Sequence, residues 1–347
     1  MDGNRTIYIR AKDEAGNIQY FSGRPDIFPE SDWVVLDRKK PWFEIIPQNA
    51  SYVNSQQDFV VYAYDELSGI DPYGLQYDNG SGIRKSFSNA TPFNPEWSTE
   101  GQNSLTIYVR DKAGNRNITE LTYFLDNTPP YLAAATPSNA SVIRSATQLI
   151  LKWQDNMIVN NTGIVFNGTD NLTISNGIAF NPGWQGDGWH SLTAYLFDVA
   201  GNVEIVGLGY YIDDSPPNIT SITPANFSII TLENEIVVKA EDLPQELNAG
   251  IDQSWFFNGS GTNRSFVLGL PFSPAWSAKD EGLVSLIIYI NDSLSNLMEK
   301  IFTYKLDVNP PLTTDNYTLS SWQNTNQSVG LSCYDNISAC HTTLYCV

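Results

Sequence analysis

One arrangement of residues recurs four times along this 347-residue chain, at a period of roughly 90 residues, and such a period restricts the chain to tandem copies of one unit. Gly3, Gly101, Gly188 and Gly282 each stand ten residues before an aspartate: Asp13, Asp111, Asp198 or Asp292. Four residues after each aspartate comes Asn17, Asn115, Asn202 or Asn296. Eleven residues beyond the last three asparagines is a second aspartate, Asp126, Asp213 or Asp307; in the first copy a nine-residue insertion, Ser22 to Glu30, postpones it to Asp37. Pro41, Pro130, Pro217 and Pro311 lie four residues further on. The spacing predicts whole units at 41–129, 130–216 and 217–310, with the C-terminal half of a unit at 1–40 and the N-terminal half of another at 311–347.

Within a unit, the residues two, four and six positions before the first aspartate are apolar: Val109, Ile107 and Leu105; Leu196, Ala194 and Leu192; Ile290, Ile288 and Leu286. A period of two means a strand with one buried face. The Asp-x-x-Gly-Asn stretch that follows supplies a glycine for positive φ and an Asx side chain for nearby amides, hence a tight turn; the fourth copy substitutes Leu294-Ser295. A returning strand ends Tyr123-Phe124-Leu125 or Tyr210-Tyr211-Ile212, and paired prolines then stop sheet pairing and stiffen the joint. A further alternating strand ends at Asp65, Asp155, Asp242 or Asp335. Pro92-Phe93-Asn94-Pro95-Glu96-Trp97 recurs as a motif ending in Trp184 and Trp276, which reads as a core plug in preference to a sugar-binding ring. Tyr108, Tyr195 and Tyr289 take the opposite parity of their strand, and no role is assigned to them.

No helical period is present, so the chain is expected to be all-β, a linear array of sandwiches with about seven strands each. The Asp-x-Ala-Gly-Asn turns, the Asp-x-x-Pro-Pro linkers and the last segment, 310–347, resemble the immunoglobulin-like and fibronectin-III-like repeats of bacterial and archaeal cell-surface proteins. That resemblance spans essentially the whole chain and implies a building block, with no chemistry attached.

The net charge of −19 and pI near 4.3 argue against a nucleic-acid partner and for an acidic surface that collects divalent cations. No run of about eighteen apolar residues would span a membrane. Seventeen Asn-x-Ser/Thr acceptors (Asn4, Asn49, Asn79, Asn89, Asn117, Asn139, Asn160, Asn167, Asn171, Asn218, Asn226, Asn258, Asn263, Asn291, Asn316, Asn326 and Asn336) suggest N-linked glycans on an extracellular, cell-surface chain. The alternative is that polar β-proteins are simply rich in these residues. The opening residues do not form a signal peptide, so an exported chain would carry its leader upstream. Cys333, Cys340 and Cys346 read as one disulfide plus a thiol whose partner lies outside the chain. With only His190 and His341 present, and neither in a nucleophile or zinc pattern, no enzyme is expected.

In a sandwich of this kind the loop after the second strand and the turn of the last hairpin share one end, facing the linker. Three aspartates are therefore expected to converge at each junction: Asp37, Asp65 and Asp111; Asp126, Asp155 and Asp198; Asp213, Asp242 and Asp292. Asn127, Asn156, Asp214 and Glu241 stand beside them. Crowded carboxylates repel unless a hard cation sits among them, and calcium accepts about six to eight oxygens in a loose geometry. The layout resembles the calcium-stiffened junctions of cadherins, although the cadherin linker motif is not reproduced. The competing account is that each aspartate caps its own turn.

Together these features point to a glycosylated extracellular stalk, surface-lattice (S-layer) or filament subunit, partnered by neighbouring copies of itself. The half-units at the two ends are either a window on a longer array or the means by which copies complete one another head to tail. An adhesin that binds a glycan, and an accessory region of a secreted enzyme, are the other classes considered.

Overall fold

The computed structural model describes residues 3–6, 10–12, 14–15, 18–20, 33–242, 249–316, 322 and 325–342. Three complete units follow one another, with seven, eight and seven strands among the described residues. In the first, Trp42–Ile46 pairs antiparallel with Val60–Tyr64. The opposing sheet has five strands in the order Tyr52–Val53, Arg116–Leu125, Gly101–Arg110, Gln76–Asp78 and Lys85–Ser86. Its edge strand, Tyr52–Val53, runs parallel to Arg116–Leu125, and every other pairing is antiparallel. The second unit repeats this order with Val142–Ile143, Val203–Ile212, Gly188–Phe197, Thr162–Phe166 and Asn171–Ser175, and the third with Ile229–Ile230, Leu297–Leu306, Gly282–Asp292, Ile251–Phe257 and Arg264–Ser265. Two sheets facing across one core, with this strand order, make each unit an immunoglobulin-like sandwich.

The alternation in the sequence becomes the inside and outside of these sheets. Leu105, Ile107 and Val109 are buried, while Tyr108 between them turns outward beneath the Arg84 guanidinium, 3.9 Å from its ring centre. Each unit has its own core: one around Phe59, Val61 and Tyr123, one around Trp153 and Tyr210, and one around Ile236, Phe256 and Tyr304. The recurrent tryptophan belongs to these cores. Trp97 meets Phe59 edge-on at 5.6 Å, and its indole N–H donates to the Asn79 carbonyl at 2.9 Å. Trp184 and Trp276 donate to Asn167 and Asn258 in the same way.

The last hairpin turns as its motif requires. Asn115 N–H donates to Asp111 Oδ1 at 2.8 Å while Asp111 N–H donates to the Asn115 carbonyl, and Gly114 holds φ at 95°. Ser295 takes the same left-handed conformation in the third unit, at 68°. Of the flanking pieces, Gly3–Thr6 pairs with Trp33–Leu36, and Leu312–Asp315 pairs with Leu331–Tyr334. A disulfide joins Cys333 to Cys340 with Cα atoms 6.1 Å apart; Cys346 and the insertion at 22–30 lie outside the described residues. No described helix is long and apolar enough to cross a membrane.

Candidate metal centre

Each junction gathers one aspartate from the linker, one from the end of the second long strand and one from the start of the hairpin turn. In each of the three triads, one carboxylate oxygen per residue lies within 4.8 Å of the others. The linker and hairpin aspartates are buried in all three: Asp37 with Asp111, Asp126 with Asp198, and Asp213 with Asp292. Asp242 is buried as well, whereas Asp65 and Asp155 are half-exposed. The register follows from chain geometry: a strand that ends in a loop, and a hairpin that turns beside it, both meet the entering linker.

The hairpin aspartate is anchored by its own turn. Asn202 donates its backbone N–H to Asp198 Oδ1 (2.8 Å) and its Nδ2 to Asp198 Oδ2 (2.6 Å). The same Nδ2 donates to the Asp126 carbonyl at 2.9 Å, which ties the linker to the turn. Asn115 and Asn296 repeat the arrangement on Asp37 and Asp213. Turn capping is thus part of every junction, and the question is what remains for the other carboxylate oxygens.

The three junctions answer it differently. At the first, Asp65 Oδ1 accepts from the N–H groups of Leu67, Ser68 and Gly69 at 2.8 to 3.1 Å. Asp37 accepts from Ser68 and from Lys39 N–H, and these bonds, Ser68 foremost, hold its carboxyl below the usual range. At the second, Asp126 accepts one bond, from Thr128 N–H, and Asp155 one, from Met157 N–H. Asp155 Oδ2 is buried with no hydrogen-bond partner among the described residues. Burial first, and then the charges of Asp155, Asp198 and Glu100, push the Asp126 carboxyl up to about 6. At the third, burial, followed by Asp292 and Asp187, raises Asp213 in spite of its bonds from Ala249 and Ser215 N–H.

Two of the neighbouring side-chain oxygens are engaged elsewhere. Asn127 Oδ1 accepts from Ser55 N–H of the preceding unit, and Asp214 Oδ1 accepts from Ser145 N–H and lies 3.7 Å from the Arg144 guanidinium. Asn156 Nδ2 donates to Glu100 at 3.3 Å. Glu100 itself was not among the expected site residues. It accepts from Asn127 N–H and Thr128 Oγ1 and so clasps the linker against the unit behind it; Asp187 and Glu281 do the same for Asp214 N–H and Asn309 Nδ2. The signal for it was an acidic residue directly before each repeated glycine. His190 is a packing residue: its ring lies 5.5 Å from Trp184, and Nε2 is 3.0 Å from the Gly186 carbonyl oxygen.

The donor set suits a hard divalent cation: carboxylate oxygens only, partly buried, with like charges facing one another and, at the second junction, a buried oxygen with no hydrogen-bond partner among the described residues. No protein-family model matches the chain, and no curated protein sequence does. Among solved structures, three N-terminal domains of the bacteriophage RB49 Hoc capsid protein share 11% identity over 78% of this chain and 99% of that one, with a TM-score of 0.38. The fibronectin(III)-like modules of Clostridium thermocellum CbhA share 9% identity over 50% of this chain and 94% of theirs (TM-score 0.34). Drosophila N-cadherin EC1-4 shares 11% identity over 89% and 92% of the two chains (TM-score 0.28). The chain is an array of immunoglobulin-like units.

Proposed function

We propose that this chain is an extracellular structural array, a stalk, lattice or filament element, whose unit junctions are stiffened by calcium at the three aspartate triads. The observation that carries this reading is the repetition of one carboxylate cluster at every junction, built from three separate chain segments, with the linker carboxyl of two clusters destabilised as an anion. A cation among these oxygens removes the like-charge cost and joins linker, strand end and hairpin turn into one body. The second junction is better equipped than the first, because Asp126 and Asp155 each accept few bonds from the fold; at the first, backbone amides already satisfy the carboxylates. N-linked sugars on the outer surface and copies of the same chain as neighbours complete the reading.

Calorimetry of the full chain with calcium and with chelator tests it. Calcium is expected to raise the melting temperature by several degrees. Asp126→Asn with Asp155→Asn, which leaves acceptors for Thr128 and Met157 N–H, is expected to remove most of that rise. Identical melting with and without calcium would remove the cation from the junctions.

A second reading, glycan adhesion, draws on one feature. Trp255 stacks on Tyr289 with ring planes 10° apart, beside an open groove of about 720 Å³ bordered by Gln253, Asn263 and Phe266. Binding to a glycan array that is lost in Trp255→Ala would favour it over a purely mechanical role.

A further inference from the structure

The Asn-x-Ser/Thr triplets hold their asparagines in two opposite ways. In Asn79, Asn167 and Asn258 the amide nitrogen is committed to the fold: Nδ2 donates to the carbonyl of Pro95 (2.7 Å), Pro182 (2.7 Å) and Pro274 (2.8 Å). The Oδ1 atom accepts from the N–H two residues on, at Ser81, Thr169 and Ser260, and in the latter two from the hydroxyl as well. The glycine between has φ of 93°, 100° and 88°. The backbone carbonyl of the same asparagine takes the indole N–H of Trp97, Trp184 or Trp276. Asn-Gly-Ser/Thr is therefore an Asx turn that clamps the core tryptophan, and the fold accounts for all three of its residues. Asn89 is committed too, by a reciprocal pair of bonds to Ala63; Asn176 does the same for Trp153 although Ile178, not Ser or Thr, stands two residues on.

Asn49, Asn139 and Asn226 occupy another recurrent position, after the first strand of each unit. Here Oδ1 accepts from the N–H of Thr122, Gly209 and Thr303, each at 2.8 Å, while Nδ2 has no partner among the described residues. All three are exposed. The hydroxyls of Ser51, Ser141 and Ser228 do not bond the asparagine, and those of Ser51 and Ser228 bond nothing among the described residues. The fold uses the acceptor of this asparagine and leaves its amide nitrogen free; the hydroxyl two residues on, the other group that glycosyl transfer requires, is free at Ser51 and Ser228 and at Ser141 bonds only the exposed Ser138 hydroxyl.

We propose that Asn49, Asn139 and Asn226 are N-glycan acceptors, one per unit at equivalent positions, and that Asn79, Asn167 and Asn258 stay bare. This rests on the extracellular reading above. In the transfer, Nδ2 bonds the anomeric carbon of an activated glycosyl donor, the bond from that carbon to the pyrophosphate oxygen breaks, and Nδ2 gives up one proton. At Asn49 the bond from Thr122 N–H to Oδ1 survives this change. At Asn79 a sugar on Nδ2 would have to stand where the Pro95 segment and Trp97 close over it. Each proposed sugar adjoins the two-residue edge strand of the five-stranded sheet, where bulk obstructs pairing with another chain.

The test has two arms. The full chain is secreted from a glycosylating host and mapped by peptide mass spectrometry after enzymatic deglycosylation. The expected result is sugar at Asn49, Asn139 and Asn226 and none at Asn79, Asn167 and Asn258. Sugar on the latter set in folded material, or sugar elsewhere but not on the former set, overturns the proposal while leaving the glycoprotein reading in place; no sugar anywhere overturns both. In the second arm, unglycosylated chain carries Asn→Asp at one position at a time, which removes the Nδ2 donor and keeps an acceptor. Melting temperature is expected to fall by several degrees for Asn79→Asp, Asn167→Asp and Asn258→Asp and to stay within about one degree for Asn49→Asp, Asn139→Asp and Asn226→Asp. Equal losses in the two sets would overturn the assignment of which amides the fold has committed.

Discussion

Ser295 holds the left-handed backbone that Gly114 and Gly201 hold in the other two units. That conformation costs a non-glycine residue about 1–2 kcal/mol, and a glycine returns part of this as unfolded-chain entropy. Ser295→Gly is expected to stabilise the third unit by up to about 1 kcal/mol, read as a higher denaturant midpoint; an unchanged midpoint would show that the turn absorbs the strain. The buried tyrosine of the returning strand makes a contrasting residue-level point. Tyr304 Oη donates to the Pro224 carbonyl at 3.1 Å, as Tyr123 does to Pro47 and Tyr210 to Pro137. Burial pushes the Tyr304 phenol up to about 12, so it stays a donor at any ordinary pH. Tyr304→Phe is expected to destabilise its unit by about 1 kcal/mol with no change in pH dependence. The repeat marks these tyrosines in the sequence but not their partners, since Pro224 lies 80 residues away.

At the scale of strands and turns, the hairpins were legible because their signals are local: a period of two, a turn motif and a proline stop. The linker carboxylates were legible only as positions. Asp37, Asp126 and Asp213 occupy equivalent places, yet the first is held down by Ser68 and Lys39 and the other two are raised by burial and like charge. For Asp126 the folded value, about 6, lies above the ordinary 3.8, so protonation favours the folded state. In chelator, this group's contribution is full below about pH 4 and is lost as the pH rises through about 6. The second unit's melting temperature is therefore expected to fall by a few degrees between pH 5 and 7 without calcium, and Asp126→Asn is expected to flatten that fall. A profile equally steep in the variant would assign it to other groups.

Across the whole molecule, three separate cores mean that each unit can hold its own shape, so that the relation between units rests on the few groups at the joints. Between the first and second units these include Asn54 Nδ2 on the Ala200 carbonyl (3.1 Å), Asn202 Nδ2 on the Asp126 carbonyl, and Asn156 Nδ2 on the Glu100 carboxylate. Small-angle scattering is expected to show a narrower distribution of end-to-end distances when calcium is added, and a smaller narrowing in the Asp126→Asn, Asp155→Asn chain, which keeps the other two triads. By itself the sequence determined the repeat, the all-β class and the buried face of each long strand, because spacing and alternation are properties of the chain read in order. Only the tertiary structure decided which carboxylates lack compensating amides, that Glu100 clasps the linker, and which asparagine amides are free. Those depend on what the fold brings to each polar atom from distant segments: Asn79 and Asn49 share a triplet pattern, but one lies under a tryptophan and the other in solvent.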